Sequence, residues 1–190
     1  QDIWPKILLN NPDCWIWMGD NIYGDSEDIE GKYAKLKANA YYQEFSSAQP
    51  VYSTWDDHDY GSNNSGKYYP TREESRLAFL NFFDEPGNSQ RWDRPGVYTS
   101  YNLGEDEKSV KLILLDTRYN REDPSPDGDV LGPEQWQWLE NELLTNEATI
   151  TIIGSSIQFV SDDHDFENWG HFPRSRQRFI DLLGETKTQG

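Results

Sequence analysis

The chain has 190 residues, of which 27% are charged and 14% aromatic, and it carries a net charge of −17 at pH 7. That length suits one domain with a real core. An acidic chain with no basic stripe is no nucleic-acid scaffold, the absence of any 18-residue apolar run excludes a membrane span, and a single cysteine, Cys14, excludes an internal disulfide framework.

Ile3, Ile7 and Leu8 recur at helical spacing, with Pro5 tolerable in a first turn. The turn Asn10-Asn11-Pro12-Asp13 leads into the apolar run Cys14-Trp15-Ile16-Trp17-Met18, a buried strand that ends at Gly19-Asp20-Asn21-Ile22-Tyr23-Gly24-Asp25. Cys14 reads as a buried, inert thiol. Asp25 reads as a turn or cap residue. One helix is expected from Ser26 to Ser47, weakened near its start by Gly31 and closed by Gln49-Pro50. A second strand, Val51 to Trp55, ends at Asp56-Asp57-His58-Asp59-Tyr60-Gly61. Residues 61–69 are loop, and a helix with Leu77, Leu80 and Phe83 as its stripe follows from about Pro70.

Val97 to Leu103 alternates as a strand, and Val110 to Leu115 is an apolar run but for Lys111, a strand covered on both faces. It ends at Asp116-Thr117-Arg118-Tyr119. An acidic, proline-rich loop then precedes a helix opening at Gly132-Pro133, whose core face is Trp136, Leu139, Leu143 and Leu144. Ile150 to Gly154 is a further strand, residues 161–170 an acidic loop, and Pro173 to Leu183 a last helix. Strands alternating with helices give an α/β fold in one domain spanning 1–190.

In such a fold, ligands gather beyond the carboxyl ends of the strands. Two acidic clusters leaving adjacent strands meet at one edge and repel unless a cation lies between them. Asp20 and a carboxylate of the 56–59 cluster are candidate metal ligands, and His58 is a candidate acid toward a leaving oxygen. Tyr23 is either a hard phenolate donor suited to ferric iron or a buried ring with a satisfied hydroxyl. Asn63 and Asn64 offer neutral oxygens or are plain loop residues. Arg118 clamps a phosphate or pairs with Asp116. His164 and His171 read as surface residues. There is no phosphate-binding Gly-rich loop, and Ser155-Ser156 lacks the nucleophile-elbow pattern.

These motifs resemble the PhoD-like alkaline phosphatases, within the metallophosphoesterases. Trp17-Met18-Gly19-Asp20-Asn21-Ile22-Tyr23-Gly24-Asp25 and Thr54-Trp55-Asp56-Asp57-His58-Asp59-Tyr60-Gly61 with Asn63 are similar to that family's two acidic motifs. Leu115-Asp116-Thr117-Arg118-Tyr119, Leu131-Gly132-Pro133-Glu134-Gln135-Trp136, and Glu167-Asn168-Trp169 with Phe172-Pro173 resemble its later landmarks. The resemblance implies a β-sandwich flanked by helices, hydrolysis of phosphate mono- or diesters by a metal-bound hydroxide, iron and calcium as cofactors, and a secreted or periplasmic location. It also implies roles: Asp20 bridging two metals, Tyr23 on iron, Asp57 on the second metal, His58 facing the phosphate, and Asn63 as a substrate contact. Arg118 as a phosphate clamp is a reading of the residues rather than of the family. The family's Gly-Ser-Cys and Gly-Asp-x-His strand ends have no counterpart here, so the chain reads as the central portion of a longer protein, with an incomplete ligand set and poor iron binding by itself. The alternative is a non-catalytic acidic module that binds calcium or a partner.

Overall fold

The computed structural model describes residues 3–24, 27–161, 163 and 165–188. Asp25, Ser26 and His164, for which the sequence suggests a turn, a helix start and a surface residue, lie outside the described residues. Helix α1, Ile3–Leu8, precedes strand β1, Trp15–Met18, and helices α2, Ile29–Lys37, and α3, Ala40–Ala48, lead to β2, Val51–Thr54. The short helix α4, Asp57–Tyr60, follows β2 directly, and α5 spans Arg72–Phe82. Strands β3, Thr99–Leu103, and β4, Val110–Leu114, precede α6, Gly132–Leu144. Strand β5, Ile150–Gly154, and helix α7, Pro173–Thr186, complete the described elements.

The α/β class expected from the sequence holds, as two small sheets among these helices. β1 and β2 pair in parallel, with Trp15 opposite Val51 and Met18 opposite Thr54. β4 is central in the other sheet, antiparallel to β3 and parallel to β5. The two sheets meet where Thr54 Oγ1 donates to the Leu115 carbonyl at 2.7 Å and Tyr52 packs on Tyr101. The parallel strands β1, β2, β4 and β5 are the ones whose carboxyl ends bear the polar motifs.

Each sheet has its own apolar cluster. Trp4, Tyr42 and Phe45 pack with Trp15 and Trp17 around the first, and Phe79 and Leu80 of α5 extend that cluster. Ile113, Trp136, Leu139, Trp169 and Phe179 form the second, between β4 and helices α6 and α7. Most of the aromatic residues are spent here as edge-to-face and offset ring pairs.

Several expectations need correction: Leu144 is exposed rather than on the core face of α6, and β1 is only partly covered, with Met18 exposed. The single helix expected over 26–47 is two, because Asn39 leaves the helical path at φ −72°, ψ 115° and its side chain accepts from the Tyr41 and Tyr42 amides at 2.9 and 3.1 Å, starting a new helix. Asn39→Ala is expected to cost about 1 kcal/mol of stability, read from a chemical denaturation midpoint at unchanged slope. Gly31 has a positive use: Asp28 caps α2 by accepting from the Gly31 amide, and a Cβ at Gly31 would run into that carboxylate. Cys14 precedes β1 and is only partly covered, rather than buried within the strand.

Candidate metal centre

β1 ends in a backbone turn that few residues adopt. Gly19 has φ +111° and Asp20 φ +51°, so the chain reverses sharply and carries the Asp20 carboxylate to the sheet edge. The second acidic segment lies against it: a Cβ on Gly19 would stand 2.5 Å from Asp56 Cβ. Beyond β2, Asp56 caps α4, and each further residue of that turn points about 100° around the axis from the last. The four polar residues therefore do not all face the same way.

Asp57 and His58 face Asp20. Oxygens of Asp20 and Asp57 and a ring nitrogen of His58 all lie within 4.8 Å of one another. Asp57 is buried, and its carboxylate is steadied by the His58 amide at 3.1 Å and the Asn64 amide at 2.6 Å. Asp20 Oδ1 is buried without a hydrogen-bond partner. Burial first, then the neighbouring Asp56 and Asp57, raises the Asp20 pKa. An orphaned buried oxygen among like charges fits a hard cation with carboxylate and imidazole donors.

Tyr23 is 57% exposed, which rules out the buried-ring alternative. Its ring packs on His58 at 4.4 Å between centroids, and the charge of Asp20 nearby raises the phenol's pKa. The His58 carbonyl accepts from the Gly24 amide at 3.0 Å, tying the two acidic segments a second time.

Asp59 and Asp56 turn away from the cluster. Asp59 is 0% exposed, and burial pushes its pKa up to about 7 although its oxygens accept from three donors. Asp56 Oδ1 instead takes the Arg118 Nε at 2.5 Å and the Ser156 hydroxyl at 2.9 Å. Arg118, with a side chain 2% exposed, is thus paired with Asp56, and its other side meets Glu167 at 2.5 Å. The pairing with Asp116 considered from the sequence does not form: Asp116 takes the backbone amides of Val97, Arg118 and Tyr119. Glu167 also meets Arg121 at 3.1 Å, so Asp56, Arg118, Glu167 and Arg121 alternate in sign through a nearly closed interior. Burial opposes the Arg118 charge, but Asp56 and Glu167 outweigh it and raise its pKa. Its remaining nitrogen donates to the Ser65 carbonyl, at 3.5 Å.

A cleft of about 340 Å³ opens over these groups, lined among others by Asp57, His58, Asn63, Ile157, Phe166 and Glu167. Asn63 is exposed at its rim. His171 is exposed as well, away from this group. Sequence reading gave no role to Asp56, Ser156 or Glu167. The strand-end position of Asp56 and Ser156 was the signal; Glu167 stood only in a family landmark.

The sequence profile of the PhoD-like phosphatase family matches residues 25–189. Alkaline phosphatase D of Bacillus subtilis (strain 168) is 25% identical over 188 residues, covering 83% of this chain and 32% of that protein. A solved structure of PhoD matches with a TM-score of 0.72 at 21% identity, covering 96% of this chain and 45% of that one. The chain thus spans about a third of the curated relative and less than half of the solved one.

Proposed function

Given that the chain belongs to the PhoD-like phosphatase family, we propose that it bears much of a metal-dependent centre for hydrolysis of phosphate mono- or diesters. The observation that carries this is the convergence of Asp20, Asp57 and His58 within 4.8 Å around a buried carboxylate oxygen that has no hydrogen-bond partner. Asp20 and Asp57 would hold the cation, and Tyr23, beside Asp20, would add a hard phenolic oxygen suited to iron; calcium would suit the carboxylates. When bound, such a cation supplies Lewis acidity toward the attacking water and the phosphate oxygens.

The chain's own groups do the rest. His58 gives its proton to the leaving oxygen. Arg118, fixed on two sides by Asp56 and Glu167, lines the same cleft and lends positive charge to it. Asn63, at the cleft rim, contacts the ester. The resemblance to alkaline phosphatase D supports a secreted or periplasmic location, and among the described residues no helix is long and apolar enough to cross a membrane.

The test is made on the full-length natural protein. Iron and calcium per chain are counted by mass spectrometry, and turnover is followed on an aryl phosphate and a bis-aryl phosphate. Asp20→Asn is expected to lose the metal and nearly all turnover of both esters while its circular dichroism is unchanged. Wild-type rates in Asp20→Asn would sink the proposal. Calcium binding without turnover in the wild type would favour the non-catalytic acidic module.

A further inference from the structure

Asp59 is the one member of the 56–59 cluster that the proposed chemistry leaves unused, and it is the most enclosed. Its Oδ1 accepts from the Ile22 amide at 3.0 Å and from the Tyr33 hydroxyl at 3.0 Å, and its Oδ2 accepts from the Asp56 amide at 3.0 Å. Ile22 lies two residues past Asp20 and one before Tyr23. Asp56 immediately precedes Asp57 and His58. The third donor comes from α2, where the Tyr33 ring is buried and stacked on Phe82 at 4.6 Å.

One carboxylate thus touches both segments that carry the candidate ligands and a rigid helix behind them. We propose that Asp59 is a positioning residue: it fixes the two acidic strand ends at the spacing at which Asp20, Asp57 and His58 converge. This rests on the cation site proposed above. The reasoning is geometric. The parallel pairing sets β1 and β2 side by side only as far as Met18 and Thr54. Beyond those residues no ladder continues; besides Asp59, the two segments are joined by the Gly24 amide on the His58 carbonyl at 3.0 Å and by Asn21 Nδ2 on the Thr54 carbonyl at 3.1 Å. A carboxylate is the short side chain that can accept from two backbone amides on different segments at once, and enclosure makes those bonds costly to break. Groups behind a metal's own ligands commonly alter its affinity 10–100-fold.

Asp59→Asn replaces one acceptor by a donor, which faces an amide hydrogen whichever way the side chain turns. Tyr33→Phe keeps the buried ring and deletes only the hydroxyl. Leu139→Ala, buried in the other apolar cluster, serves as the destabilised control. Each is made in the full-length protein stripped of metal. Amide hydrogen exchange is measured for peptides covering 19–24 and 55–60, and Mn²⁺ affinity by electron paramagnetic resonance.

Asp59→Asn is expected to speed exchange in both peptides together and to weaken Mn²⁺ binding roughly tenfold to a hundredfold. Tyr33→Phe should shift both readouts the same way by less. Leu139→Ala should lower the melting temperature with neither change. Exchange rising in only one of the two peptides, or Mn²⁺ binding unaltered in both site variants, would overturn the proposal, as would equal losses in Leu139→Ala. If Asp59→Asn fails to fold, Tyr33→Phe decides. If the wild type binds no Mn²⁺, the cation site itself is wrong, and the exchange data alone decide whether Asp59 braces the two segments.

Discussion

In the full-length protein, His58→Ala is expected to lower turnover of an aryl phosphate by about a hundredfold or more, the usual worth of a positioned proton donor, while iron and calcium per chain stay unchanged. The expectation follows from how His58 is held. Its backbone donates to Asp57 and accepts from Gly24, and both bonds survive loss of the ring. What Ala removes is the imidazole alone, half covered, lying on Tyr23 and bordering the cleft. The ring nitrogen is also within reach of a shared cation with Asp20 and Asp57. Metal analysis therefore separates two outcomes. Retained metal with lost turnover identifies the proton donor; lost metal identifies a ligand. Unchanged turnover would show that the ring serves only to support Tyr23.

The largest effect on stability is expected at Glu167. Its carboxylate lies between two arginines whose side chains are each 2% exposed. Glu167→Ala leaves Arg118 with Asp56 and leaves Arg121 with two carbonyls and the Phe172 ring but no carboxylate, and breaking a buried pair from one side typically costs about 3–5 kcal/mol. The exposed pair between Arg174 and Asp127 is the counter-example: Asp127→Ala should cost no more than about 1 kcal/mol, since both charges already face water. Denaturant unfolding of both variants at neutral pH measures the contrast. A Glu167→Ala loss as small as that of Asp127→Ala would mean that water reaches the arginines.

Elements whose identity depends on near neighbours were legible in the sequence. Trp15–Met18 and Val110–Leu114 are both strands, the second buried and the first only partly covered with Met18 exposed, and the helix opening at Gly132-Pro133 starts where the sequence says it does. The convergence of Asp20 with the 56–59 segment was legible too, because two apolar runs each followed by acids leave little choice of edge. The break at Asn39 was not. Residues 38 and 39 interrupt neither the apolar stripe nor the polarity, and only the cap geometry shows that the chain turns. Nor could the sequence divide labour among Asp56, Asp57, His58 and Asp59. A helical turn sends adjacent residues in different directions, so Asp57 faces Asp20, Asp56 faces an arginine 62 positions away, and Asp59 faces the interior. Arg118 likewise found its partners at positions 56 and 167, beyond the reach of any local pattern.

Gly19 sets a limit in the opposite sense to Asp59. Asp59 draws the two strand ends together, a tie in tension. At Gly19 they already press backbone against side chain, with no room for even one methyl group beside Asp56. The gap between the acids is therefore held like a calliper, pulled inward at one point and stopped at another. What is fixed in this way is the main-chain spacing from which Asp20 and Asp57 project, and the carboxylates can adjust only within it.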